Sequence, residues 1–515
     1  MANDAEVLLN DELKSLYFNY QDSLLLADGT LITSDYDSLA ITDIKTYIDA
    51  NKEHFTELLG STLRVEKVEQ RTINNLIERL SSKDEGFQLD DETLSTVGSD
   101  AKKILQEAVS RSASDIRIEL YAQETRIRCR VDGRLVPLQK TIPEYEYGNH
   151  LIGYLFSELA LDTDGDFYVN KSNNGRIEID LSTPDGKRET IWRISYIYAR
   201  NKGGQAVLRW LNKDTQIPKL DALGWEPGHV KAMRDFMNSA SGACLIAGQV
   251  GSGKSTTIAS ALNEVKDSGR SINTIEDPVE FDIGVIQTSV RGDNDELNGL
   301  VKLLLRHDVD IEMHGEMRSK EGAMAVCRKA ETGQLMLTTL HTSSAIGIAH
   351  TMNEQMGVPL ALIAAPDLMK LWIYQTLVRS VCPHCALTLE QAQPSWSQVH
   401  LEQYQQWLSH EVSTDQLRFK NPEGCAHCDE GEKHRTTLVE MLVIDDEDRQ
   451  FILRKEYLGW AASLKKKGYK TVLDHANLKI ARGEIDLFTA AERVNGLFQK
   501  PTSSIYKTFF KEAQC

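Results

Sequence analysis

The chain has 515 residues, 41% hydrophobic and 26% charged, with a formal net charge of −18. That length exceeds one hydrophobic core, so roughly two to four domains are expected. The acidic balance argues against broad electrostatic binding to nucleic acid or anionic lipid. No apolar run reaches the ~18–20 residues of a membrane span; the nearest, "VPLALIAAPDLMKLWIYQTLV", is cut by Pro366, Asp367 and Lys370.

The first residues, "MANDAEVLLNDELKSLYFNY", are acidic where an export leader is basic, so a cytoplasmic chain is expected. Residues 1–80 mix helical apolar spacing, as in "TINNLIERL", with acidic stretches and carry no chemical motif. The polar segment "SSKDEGFQLDDETLSTVGSD", 81–100, reads as a linker. From 101 a helical pattern, "AKKILQEAVS", is followed by "DIRIELYA" and "TRIRCRVDGRLVPL", which alternate at period two around the Asp132-Gly133 turn. With "GRIEIDLS", "ETIWRISYIYA" and "QAVLRWL", this makes an α+β domain over 101–217. Strands and helices then alternate from 218, the pattern of an α/β domain with a parallel sheet and crossover helices, and the last 75 residues read as mostly helical.

Within that second half, "GQVGSGKST" fits G-x-x-x-x-G-K-[ST], preceded by an apolar strand and opening a helix. Gly248, Gly251, Ser252, Gly253 and Thr256 frame a loop whose backbone N–H groups can surround phosphates. Lys254 would reach the β/γ-phosphates and the Ser255 hydroxyl would ligate Mg²⁺. "TIEDPVE", 274–280, puts three carboxylates at the end of the next strand, where an open α/β sheet binds ligands; taken alone, a solvated acidic turn reads as well. In "DIEMHGEMR", 310–318, Ile311 and Met313 fall on one face and Glu312 and His314 on the other. That polar face is expected to meet something polar, such as a neighbouring domain or subunit. Gly315 permits close approach, Glu316 emerges at the C-terminal end, and "TGQLMLTTLHT" brings His341 to the same sheet edge.

In order, "GQVGSGKST", "TIEDPVE", "GEMR" and "AETGQLMLTTLHT" resemble the Walker A motif, Asp box, Walker B motif and His box of the secretion ATPases. These are the hexameric motors of type II secretion, type IV pili and related systems. "SASDIRIE", "WRISYIYARNKGGQAVLRWL", "YQTLVRSVCPHC" and "GEIDLFTAAERVNGL" are similar to further family segments, so the likeness covers about residues 100–500. It implies a RecA-like P-loop NTPase motor domain over 218–515, preceded by an α+β (PAS-like) domain. ATP, Mg²⁺ and a homo-hexamer are implied with it.

By position, Glu280 would activate water and Glu316 would organise the Mg²⁺–water site. Arg193 and Arg209 would contact nucleotide phosphates, and His341 would sense the γ-phosphate. The resemblance further implies an inner-membrane platform protein as partner, with residues 1–80 docking to the machine at the inner face of that membrane. Pilus assembly is preferred to type II secretion. Departures are Gln334 in place of a histidine, Val309 in a "DPD" triplet, Glu312 and His314 at usually apolar positions, and Ser319 in "GEIRD".

Eight cysteines include two CxxC pairs, Cys382/Cys385 and Cys425/Cys428. Two such pairs in a reduced compartment have the spacing of a tetrahedral Zn²⁺ site, here with a helical insert between knuckles. A redox pair or free thiols are the other readings, and His384 and His427 are alternative ligands. In the resembling family this module, within about 380–440, marks assembly and secretion motors. The scattered Cys129, Cys244 and Cys327 read as reduced core thiols. Two other function classes remain open, a nucleic-acid motor, which the charge disfavours, and a scaffold that binds nucleotide without hydrolysing it.

Overall fold

The computed structural model describes residues 7–51, 55, 63–77 apart from 71 and 74–75, 91–290 apart from 185, 200–202 and 214–215, and 299–509 apart from 301–302, 305, 411, 499, 501 and 508. Two compact units result, dividing between Lys213 and Asp214.

The first unit opens with the helix Asp11–Tyr20, followed by strands β1 (Ser23–Leu25), β2 (Thr30–Thr33) and β3 (Arg64–Lys67). β1 and β2 form an antiparallel pair, and β3 joins β2 in parallel beyond the helix Leu39–Ala50. Ile41, Ile44 and Ile48, at helical spacing, belong to the core formed with Leu24, Leu25 and Leu31.

A helix then runs from Asp91 to Ser110. It begins inside the segment that composition marks as a linker, whose first half, 81–90, lies outside the described residues. The reason is its narrow apolar stripe: Val97, Ala101, Ile104, Leu105 and Ala108 are buried, while the solvent face has the composition of a linker.

Seven strands follow: β4 (Asp115–Tyr121), β5 (Glu124–Val131), β6 (Arg134–Pro137), β7 (Ala160–Leu161), β8 (Asn173–Thr183), β9 (Gly186–Tyr198) and β10 (Gly204–Trp210). They form one antiparallel sheet in the order β6-β5-β4-β10-β9-β8-β7. Alternation sorts the residues as the sequence predicts. Ile116, Ile118, Ile127, Cys129, Trp192, Ile194, Ala206 and Leu208 share a core with the helices Asp91–Ser110 and Tyr145–Tyr154. The other face carries charge.

The second unit is built on β11 (Gly242–Ala247), β12 (Ile272–Glu276), β13 (Ile286–Ser289), β14 (Ile311–His314), β15 (Leu335–Leu340), β16 (Met369–Val381) and β17 (Glu432–Val443). Their order is β13-β12-β14-β15-β11-β16-β17, parallel except for β17. β11 and β15 are buried at every position, as a parallel strand covered on both faces requires. Cys244 and Cys327 are buried thiols in the two flanking cores, and Cys129 is buried in the first unit.

β14 corrects one expectation. Glu312 and His314 do share a face, but that face is turned inward against the helix Lys320–Glu331 of the same unit. Glu312 is wholly buried and receives Lys329 and His314, whose Nε2 lies 2.6 Å from Oε1. Opposite charges on adjacent elements make the polar face internal, so it needs no neighbouring domain or subunit to cover it.

Candidate active site

Parallel strands deliver their C-terminal ends to one edge, where the sequence motifs meet. Ala247 is in register with Leu340, and His314 with both Thr338 and Ile275. Gly248, His341, Gly315 and Asp277 therefore leave the sheet on the same side. Gly315 sits so near β12 that a Cβ there would lie 3.2 Å from the Glu276 Cα.

The phosphate-binding loop has the backbone its glycines permit. Gly248, Gly251 and Gly253 have φ of 156°, 75° and 83°, and a Cβ on Gly248 would lie 2.4 Å from the Gln375 carbonyl oxygen. The helix Lys254–Val265 starts directly after Gly253, so its first N–H groups and those of the loop face one cradle. This backbone fits a chain of phosphates. The Lys254 ammonium donates to the carbonyls of Gly248 (2.9 Å) and Gln249 (3.2 Å). Burial lowers its pKa, while Glu316 and Glu280 oppose that shift, which puts both carboxylates within electrostatic reach of the lysine.

Glu316 and His341 meet: Nε2 of His341 lies 3.2 Å from Oε1 of Glu316 and Nδ1 lies 2.8 Å from the Gly248 carbonyl. Arg318 holds the other Glu316 oxygen at 2.7 Å and reaches Asp277 at 3.4 Å. Lys254, Glu316 and His341 are thus joined through the first glycine of the loop. The three carboxylates of "TIEDPVE" do not converge. Glu276 is buried, accepting from Thr274 (2.6 Å) and Gln287 (3.0 Å), and burial raises its pKa. Asp277 faces Arg318, and Glu280 is exposed.

Arg193 and Arg209 lie in the first unit as direct partners on β9 and β10. They belong to a row in register across the sheet, Arg176–Arg193–Arg209–Asp115–Arg130. Asp115 accepts from Arg209 Nε at 3.0 Å and from the Ser114 hydroxyl at 2.7 Å. The Arg209 side chain remains half exposed.

The tetracysteine group caps the far end of the β16–β17 ribbon, since Val381 pairs with Glu432. Sulfur separations are 3.8 Å (Cys382–Cys425), 3.6 Å (Cys385–Cys428) and 3.5 Å (Cys425–Cys428), and all four lie within 4.8 Å of one another. Four thiolates about 2.3 Å from a central tetrahedral ion would stand nearly that far apart, so the donor set fits a metal ion. His384 and His427 stack together on the exposed side, centroids 4.4 Å apart. The expected insert contains the helices Leu389–Ala392 and Gln398–Trp407.

The sequence reading gives no role to Lys329, Arg318 or Gln375, although Arg318 ends the quoted "GEMR" and Gln375 lies within "YQTLVRSVCPHC".

The fold and this edge define a P-loop ATPase with a RecA-like motor domain. Residues 90–495 match a family profile described as "Type II/IV secretion system protein". Type II secretion system protein E of Klebsiella pneumoniae is 32% identical over 358 residues, 68% of this chain and 67% of that protein. Type IV pilus assembly ATPase PilB of Thermus thermophilus is 32% identical over 393 residues, 74% of this chain and 41% of that protein, so the chain spans less than half of that relative. The ATPase DotB of Legionella pneumophila shares the fold at a TM-score of 0.52 and 20% identity, covering 79% of this chain and 96% of that one. The chain belongs to the type II/IV secretion system protein family and is one of its ATP-hydrolysing members. No helix among the described residues is long and apolar enough to cross a membrane.

Proposed function

We propose that this ATPase powers assembly of a type IV pilus through an inner-membrane platform protein, working as a homo-hexamer on the cytoplasmic side of that membrane. The observation that carries its motor chemistry is the contact of Glu316 with His341 at the phosphate cradle. In this reading Lys254 holds the β/γ-phosphates, Glu280 takes the proton of the attacking water, and Glu316 orients that water. His341 follows the γ-phosphate, and Arg193 and Arg209 stabilise the charge of the transferring phosphoryl group. Ser255 would hold magnesium, whose chemistry when bound is neutralisation of phosphate charge. The four cysteines would hold zinc in a structural role, since four thiolates complete a closed tetrahedral shell.

The test is phosphate release from Mg-ATP by wild type, Glu316→Gln and Glu280→Gln. Turnover reduced about a hundredfold or more in either variant, with nucleotide still bound, is the expected result. Wild-type binding without turnover, even with a platform domain and phospholipid added, would leave a nucleotide-gated scaffold instead. Type II secretion is the second reading, favoured by the fuller coverage of the Klebsiella protein than of the Thermus one. Deleting the gene in its host separates them, through loss of surface pili or loss of a secreted protein.

A further inference from the structure

A phosphate-binding loop aims its N–H groups inward, so its carbonyls must turn away and find donors elsewhere. Ser252, two residues before the helix Lys254–Val265, is buried, and its carbonyl points into the protein beneath the loop. The donor there is Gln375 Nε2 at 2.8 Å. Its other amide atom, Oε1, accepts from the Thr257 hydroxyl at 3.0 Å, in the first turn of the helix Lys254–Val265. The backbone carbonyl of the same residue closes off the space beside Gly248, where a Cβ would stand 2.4 Å away. Gln375 is 1% exposed and comes one residue after Tyr374, the last position at which β16 pairs with β11. One side chain thus touches the end of the loop and the first turn of its helix, and its own backbone abuts the loop's first residue.

We infer that Gln375 is the positioning residue of the phosphate cradle: it fixes the Ser252 peptide so that the loop's N–H groups are aimed before nucleotide arrives. Buried beneath the loop, it acts through the Ser252 carbonyl and the Thr257 hydroxyl. A hydrophobic isostere at this position leaves the Ser252 carbonyl buried without a donor. The loop can then relieve that cost by rotating the peptide, which turns an N–H group away from the phosphates. Binding weakens in that case, while Glu280, Glu316 and His341, in the loops that follow other strands, keep their places. The inference rests on the nucleotide-binding role of the loop.

The experiment compares the full chain with Gln375→Met and Thr257→Val. It measures Mg-ATP affinity by calorimetry, KM and kcat by phosphate release, and melting without nucleotide. Gln375→Met is expected to raise Kd and KM about tenfold, with kcat within about twofold and the nucleotide-free melting little changed. Thr257→Val, which frees one end of the amide, is expected to raise Kd about threefold. A folded Gln375→Met chain that binds Mg-ATP like wild type overturns the inference. If that variant does not fold, unchanged affinity in Thr257→Val overturns it. Wild-type binding is the control: were it absent, the nucleotide role itself would fail, whatever the variants did.

Discussion

Glu312 and Lys329 form an ion pair in which neither side chain has any exposed surface. Burial pushes the lysine pKa down, and His314 and Lys329 together outweigh burial to hold the carboxylate below its usual range. One Glu312 oxygen carries both contacts, while the other is buried without a partner. Such a pair is worth little against an apolar replacement, but breaking it strands a charge. Lys329→Met is therefore expected to destabilise the second unit by about 3–5 kcal/mol, and Glu312→Leu with Lys329→Met to recover most of that loss. Urea unfolding of the two variants checks this. A double variant no better than the single one would mean the network stabilises in its own right.

Arg209→Ala separates charge chemistry from folding. Its pair with Asp115 is half exposed on the arginine side, so stability should change by no more than about 1 kcal/mol. Turnover should fall about a thousandfold if the guanidinium meets the transferring phosphoryl group. Parallel measurement of kcat and unfolding free energy decides it; a large stability loss with kcat kept would make the arginine structural.

Metal removal should act at the ribbon end alone. We expect close to one zinc per chain by elemental analysis, lost in Cys425→Ser. In chelated protein, hydrogen exchange should speed up in the insert 386–424, with Mg-ATP affinity held within about twofold. β16 pairs with β11 from Met369 to Tyr374, at the opposite end of the strand from Cys382, so the sheet beneath the loop does not depend on the thiolates. Loss of nucleotide binding by chelated, folded protein would contradict this.

How much of this was legible depended on where each constraint sits along the chain. The phosphate loop was readable because strand, glycines and helix are contiguous, and Glu316 and His341 because each ends a strand that the pattern marks. The pairing of Glu312 was not, since its partner is 17 residues away on a helix, and a lysine there reads as solvent-facing. Gln375 was hidden for the same reason, its contacts lying 123 and 118 positions upstream. The helix from Asp91 was missed because its solvent face resembles a linker in composition.

His475 supplies a pH dependence. Its ring is buried, with Nδ1 3.0 Å from the Val439 nitrogen and 3.2 Å from the Val439 carbonyl oxygen. Burial first, then Lys479 and His229, push its pKa from 6.5 down to about 4, with the Val439 backbone and then Glu226 offsetting only in part. A depressed folded pKa stabilises fully above the unfolded value, and that contribution is lost as pH falls through about 4. Wild type should therefore lose roughly 3 kcal/mol more than His475→Gln on going from pH 6.5 to 4. Urea unfolding across that window tests it, and parallel slopes would refute it.

The pairing of Arg193 with Arg209 carries a constraint of another kind. Both side chains face outward only because β9 and β10 pair in one register, with Trp192 and Trp210 paired on the core side. A slip of one residue would send a guanidinium inward and an indole outward. The Ala199 N–H donates to the Gly203 carbonyl at 2.8 Å and so closes the connection between the two strands in that phase. Lineages of this protein should then vary freely in the letters of that connection while keeping its length, because an insertion there rewrites a whole face where a substitution changes one residue.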